Sequence, residues 1–211
     1  PVTIYLYDLG SCAAEQSFQL VIGQTPVVTF TALGDLCIDA GVQAGNSGGA
    51  PVGGVYSGAG VMDDGNGLTY SFDPAAAGVG VHIITYTVTT AEGCTAFATD
   101  NVEVFALPVL TFTALADLCI DAGVQVALGS GTAAGGVYSG PGVTDDGNGL
   151  TYSFDPAAAG VGVHIITYSF TDVNGCSNTI TDNVEVFALP ILTFTALADL
   201  CIDAGVQVAL G

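Results

Sequence analysis

The 211-residue sequence predicts an all-β fold: a tandem array of β-sandwich domains of about 82 residues, with one disulfide per domain. Three features carry that reading. The first is an internal repeat: "LCIDAGVQ" recurs at Leu36, Leu118 and Leu200, "DDGNGLTYSFDPAAAGVGVHIITY" at Asp63 and Asp145, and "TDNVEVFALP" at Thr99 and Thr181. The second is apolar residues in short alternating runs between Gly, Pro, Asn and Asp clusters, the period of half-buried strands. The third is cysteine at two fixed places in each repeat, within "LCID" and after "G" in "GC".

The repeat step divides the chain into two full domains, 26–107 and 108–189. Residues 1–25 then read as the C-terminal part of a preceding repeat and 190–211 as the N-terminal part of a following one. The sequence is therefore expected to be a window on a longer array.

In the second repeat, taken in order, "VLTFTAL" (Val109 to Leu115) is a first strand and "LCIDAGVQVAL" (Leu118 to Leu128) a second. "GGVYSGPGV" and "LTYSFDP" flank the tight connection "TDDGNG", whose glycines suit positive φ. "DPAAAG" offers one helical turn. "GVHIITYSFTD" and "SNTITDNVEVFA" flank "VNGC", a second hairpin, and alternation in the first of them assigns Ile166, Tyr168 and Phe170 to the core. About seven short strands in some 80 residues point to immunoglobulin-like topology. Junctions such as "VFALPVLTF" leave almost no linker, and Pro108 restricts what there is, so adjacent domains are expected to form a semi-rigid rod.

Equal spacing within each repeat predicts disulfides Cys37–Cys94 and Cys119–Cys176, with the partners of Cys12 and Cys201 outside the window. Zinc would need closely spaced pairs such as CxxC, and none is present. Disulfides place the protein outside the cytoplasm, and a loop of this size contributes about 4 kcal/mol in the chain-entropy treatment.

The charge balance is one-sided, with 20 acids and no Lys or Arg. Such a surface repels phosphate backbones and anionic lipid, which excludes nucleic-acid binding and direct membrane insertion. Without lysine the chain can form neither a Schiff base nor an isopeptide bond, and it carries no site for a trypsin-like protease.

"GGVYSGPGV", "FDPAAAGVGVHIITYSFTDVNGC" and the leading "LCID" resemble the tandem immunoglobulin-like or PKD-like repeats of very long secreted surface proteins of Bacteroidota. The resemblance implies a non-enzymatic stalk, adhesin or filament at the cell surface.

Two sets of residues are candidate sites. "DDGNG" could supply hard oxygen ligands to calcium from Asp63, Asp64 and Asn66, and again from Asp145, Asp146 and Asn148, with Asp73 or Asp155 nearby. The competing reading is a hairpin turn, since the loop lacks the alternating acids and closing Glu of an EF-hand. His82 and His164 sit at one repeat position without a nucleophile motif and read as strand residues. The two repeats differ most in "QAGNSGGAPV" against "QVALGSGTAA" and around "GC", loops that this topology puts at one end of the sandwich. The expected function is a non-enzymatic structural region of an extracellular filament, stalk or adhesin, and the alternative is an adhesion module binding calcium, glycan or protein. No cofactor is required. The expected partners are neighbouring repeats and identical chains.

Overall fold

The computed structural model describes residues 2–6, 16–20, 22–113 and 115–195. At its start β1 (Val2–Leu6) pairs antiparallel with β2 (Gln16–Leu20). Two sandwiches of the same design follow.

In the first, one sheet has the order β3 (Leu36–Cys37), β9 (Thr95–Phe105), β8 (Gly80–Thr89), β5 (Val55–Ser57). The facing sheet has the order β4 (Gln43–Asn46), β7 (Tyr70–Phe72), β6 (Val61–Asp63). The second sandwich repeats this with β10 (Leu118–Cys119), β16 (Ser177–Phe187), β15 (Gly162–Thr171), β12 (Val137–Ser139) against β11 (Gln125–Leu128), β14 (Tyr152–Phe154), β13 (Val143–Asp145). The first and last strands of each sandwich, β3 with β9 and β10 with β16, pair parallel, and every other ladder is antiparallel. Two sheets packed face to face with these connections are the immunoglobulin-like arrangement.

Alternation along the strands builds the core. Ile84, Tyr86 and Val88 of β8 and Val102 and Val104 of β9 turn inward against Tyr70 and Phe72 of β7, and Tyr56 of β5 closes the cluster. In the second sandwich Ile166 and Tyr168 are fully buried, whereas Phe170 is half-buried and packs at the edge of its cluster. "DPAAAG" makes the short helices α1 (Pro74–Ala77) and α2 (Pro156–Ala159), each with an Asp as N-cap and proline in the first turn, where its missing N–H costs nothing.

The run Leu118 to Leu128, expected as one strand, is two. β10 joins the sheet of β16, the chain turns through Gly123 at φ 73°, and β11 enters the opposite sheet beside β14. The stretch Val109 to Leu115 contributes only the isolated bridge Thr111 to Thr132 among the described residues. The division of Leu118–Leu128 has a plain cause: the chain crosses from one sheet to the other between β10 and β11.

Each sandwich has two poles. The leading pole carries the β8–β9 turn with Cys94, the β4–β5 loop and the "DDGNG" turn, which is tied to that loop by the Gly53 N–H donating to Gly67 O at 2.8 Å. The trailing pole carries the turn after β3 with Cys37 and the helical turn before β8. This polarity overturns the expected pairs Cys37–Cys94 and Cys119–Cys176. Cys37 lies beside Phe105, at the far end of 11-residue β9 from Cys94, and Cys119 lies beside Phe187, at the far end of 11-residue β16 from Cys176. Such a strand is roughly 35 Å long, whereas a disulfide needs Cα atoms within about 7 Å. Cys12 and Cys201 lie outside the described residues. Among the described residues, no helix is long and apolar enough to cross a membrane.

Candidate functional site

The junction between the sandwiches holds the chain's distinctive chemistry. Cys37, on the trailing pole of the first sandwich, is bonded to Cys176, on the leading pole of the second, with a Cα–Cα distance of 5.6 Å and a sequence separation of 139. The expected one disulfide per domain is instead one disulfide between domains. Cys176 is fully buried, while its repeat equivalent Cys94 is half-buried; Cys37 is half-buried, while its equivalent Cys119 is exposed. Meeting of the poles accounts for the difference, since each bonded cysteine is the more covered of its pair.

The turn that presents Cys176 is shaped by one carboxylate. Asp172 Oδ1 accepts from the backbone N–H groups of Asn174 and Cys176, both at 2.9 Å, and Gly175 takes φ 84°. In the first sandwich Thr90 stands at the same repeat position, and its Oγ1 accepts from the Cys94 N–H at 3.3 Å. The turn that presents Cys37 is anchored to the last strand, with the Ile38 N–H donating to Phe105 O at 2.9 Å. Asp35 just before it accepts from the Glu103 N–H at 2.8 Å, as Asp117 does from Glu185 at 2.9 Å.

In this lysine-free, arginine-free chain, acids find partners in backbone N–H groups and in side-chain hydroxyls. Asp63 accepts from the Tyr56 N–H at 2.8 Å and the Gly65 N–H at 2.9 Å, and Asp64 accepts from Thr69 Oγ1 at 2.6 Å. Asn66 Oδ1 accepts from the N–H groups of Leu68 and Thr69. Asp145, Asp146 and Asn148 repeat these bonds. The oxygens proposed as calcium ligands therefore close a turn, with Gly65 and Gly67 at φ 69° and 68°. Among the described residues, no three His, Cys, Asp or Glu side chains gather as a metal cluster. Asp73 and Asp155 cap the helical turns. Asp100, accepting from the N–H groups of Ala32 and Asn101, is held below the usual carboxylate range by those bonds. His82 and His164 bond through Nε2 to Gly78 O and Gly160 O, at 2.7 and 2.8 Å, bracing the turn into β8 and β15.

A cleft of about 400 Å³ on the first sandwich is lined by Val42, Val61, Met62, Ser71 and Asp73. Its one carboxylate, Asp73, caps the helical turn, and the Ser71 hydroxyl in its wall donates to Asp64 at 3.3 Å.

Sequence reasoning missed the role of the glycines in the β4–β5 loop. A Cβ on Gly49 or Gly54 would come within 2.5 Å of the Tyr86 ring, and one on Gly131 or Gly136 would meet the Tyr168 ring at 2.7 or 2.4 Å. These positions, together with Gly53 and Gly135, stay Gly inside a loop whose other residues differ between the repeats, which was the available signal.

No family model and no curated protein sequence matches the chain. Among solved structures it is similar to a Ca²⁺-stabilised adhesin with which an Antarctic bacterium reaches out and binds ice, at 16% identity and a TM-score of 0.42 over 89% of this chain. The match spans 56% of that protein, a likeness too slight to carry an argument about fold or function.

Proposed function

We propose that this chain is a non-enzymatic structural region of an extracellular filament, stalk or adhesin, in which immunoglobulin-like sandwiches stack pole to pole. The Cys37–Cys176 bond carries the reading, because it fastens one sandwich to the next across a short junction. A disulfide that holds domains in register serves an elongated, load-bearing molecule and belongs to an oxidising compartment. The acidic, cation-free composition agrees with a surface that stays soluble and does not adhere to nucleic acid or anionic lipid.

The ligand-binding alternative rests on the leading-pole loops, where the two repeats differ. In the second sandwich that pole faces the first, which leaves less room for a ligand there. Electron microscopy of the native surface material tests the proposal. Uniform filaments with an axial period of one or two sandwiches are expected. Compact, separate particles without axial repetition would sink it, and flexible strands ending in a globular tip would restrict it to a stalk.

A further inference from the structure

Cys94 and Cys119 are free thiols, and each occupies the repeat position of a cysteine that is bonded elsewhere in the same molecule. Cys119 corresponds to Cys37 and stands on the trailing pole of the second sandwich, beside Phe187 as Cys37 stands beside Phe105. Cys94 corresponds to Cys176 and stands on the leading pole of the first, in the same kind of turn. We infer that they are the two open halves of the clasp seen at the junction: Cys119 takes a "GC" turn and Cys94 an "LCID" turn, each from another sandwich of this repeat.

This inference rests on the proposed structural role and makes it directional. Unlike halves join, so the array has one polarity. Cys176 and Cys37 are each more covered than their repeat equivalents, the half-buried Cys94 and the exposed Cys119, which marks the poles carrying those free thiols as surfaces shaped to receive the complementary pole. Chemically, the thiolate of one half attacks a low-molecular-weight or protein disulfide, expelling one thiol and forming a mixed disulfide. The thiolate of the other half then displaces the second thiol, so one S–S bond is made, one is reduced, and two protons leave the cysteines.

The test is a disulfide map of native material carrying this sequence. Free thiols are alkylated first, the protein is cut with pepsin at low pH, where exchange is quenched, and linked peptides are read by mass spectrometry. Trypsin is useless here, since the chain has no Lys or Arg. Peptides around Cys37 and Cys119 are told apart by Gly34 against Ala116, and those around Cys94 and Cys176 by Ala91-Glu92 against Val173-Asn174. The expected map joins Cys119 to a "GC" peptide and Cys94 to an "LCID" peptide. Denaturing electrophoresis without reductant then separates the sources: the mass of one chain assigns the partner sandwich to the same chain, and a ladder lost on reduction assigns it to a second copy. Alkylated Cys94 or Cys119, or bridges joining like to like, would overturn the inference while a surviving Cys37–Cys176 peptide leaves the structural role standing. Absence of the Cys37–Cys176 peptide would defeat that role itself.

Discussion

At the scale of single residues, the tyrosines of the first core divide into satisfied and unsatisfied. Tyr86 donates to Pro51 O at 2.7 Å and accepts from the Gly54 N–H at 2.9 Å, pinning the β4–β5 loop, whereas the buried Tyr70 hydroxyl makes no hydrogen bond of normal geometry. Tyr86→Phe is therefore expected to cost about 1–3 kcal/mol in denaturant unfolding, because it strands a buried N–H, and Tyr70→Phe to change stability by less than about 1 kcal/mol. Equal losses at the two positions would show the hydroxyls to be irrelevant. Burial, followed by its neighbours Tyr138 and Asp182, pushes Tyr152 up to about 12, and burial raises Tyr56 and Tyr70 as well. A raised folded value means that the native state holds the proton more tightly than the unfolded chain. This contribution to stability is thus complete below pH 10 and is lost as pH climbs toward about 12. Alkaline titration followed by phenolate absorbance and circular dichroism should show the late-ionising tyrosines titrating together with unfolding. Ionisation of all tyrosines near pH 10 with the fold intact would contradict it.

Among elements, the "DDGNG" turn is the most demanding. Gly65 and Gly67 share nearly the same positive φ, but a Cβ on Gly65 meets nothing within 4 Å while one on Gly67 comes within 2.8 Å of the Gly53 backbone. Gly65→Ala is expected to cost about 1–2 kcal/mol from the left-handed conformation alone, and Gly67→Ala clearly more in the same unfolding assay, since the β4–β5 loop must also move. Calcium titration calorimetry is expected to give no heat at this turn, because its carboxylates already accept internal bonds; saturable heat abolished by Asp64→Asn would reverse that assignment. The elements legible in the sequence were those whose signal is local: the long hairpin of β15 and β16, the helical turn of "DPAAAG" and the glycine turn itself. The division of Leu118–Leu128 was illegible because its two halves are apolar in the same way, and only their partners, β16 and β14 in opposite sheets, separate them.

For the whole molecule, the repeat step and the sandwich were readable, but the disulfide partners were not. Equal spacing of Cys37 to Cys94 and Cys119 to Cys176 says that the pairs are equivalent, yet not which poles they occupy; that is decided by the parallel pairing of β3 with β9, a contact between the two ends of a domain. The bond that does form redirects tension. Pulled from beyond its two cysteines, the molecule bears load through the sulfurs, and the 139-residue separation between Cys37 and Cys176 stays slack. Single-molecule extension should therefore lengthen by roughly 460–500 Å on reduction, the span of that segment at full stretch. An unchanged contour length would mean that the clasp bears no load. The same loop has a consequence for chemical damage: a peptide bond broken anywhere between Cys37 and Cys176 leaves both fragments attached, so a nicked molecule keeps its mass until reductant reaches it. Since the separation of 139 exceeds the repeat step from Cys37 to Cys119, successive clasps of this kind would overlap, and no single scission inside such an array could part it.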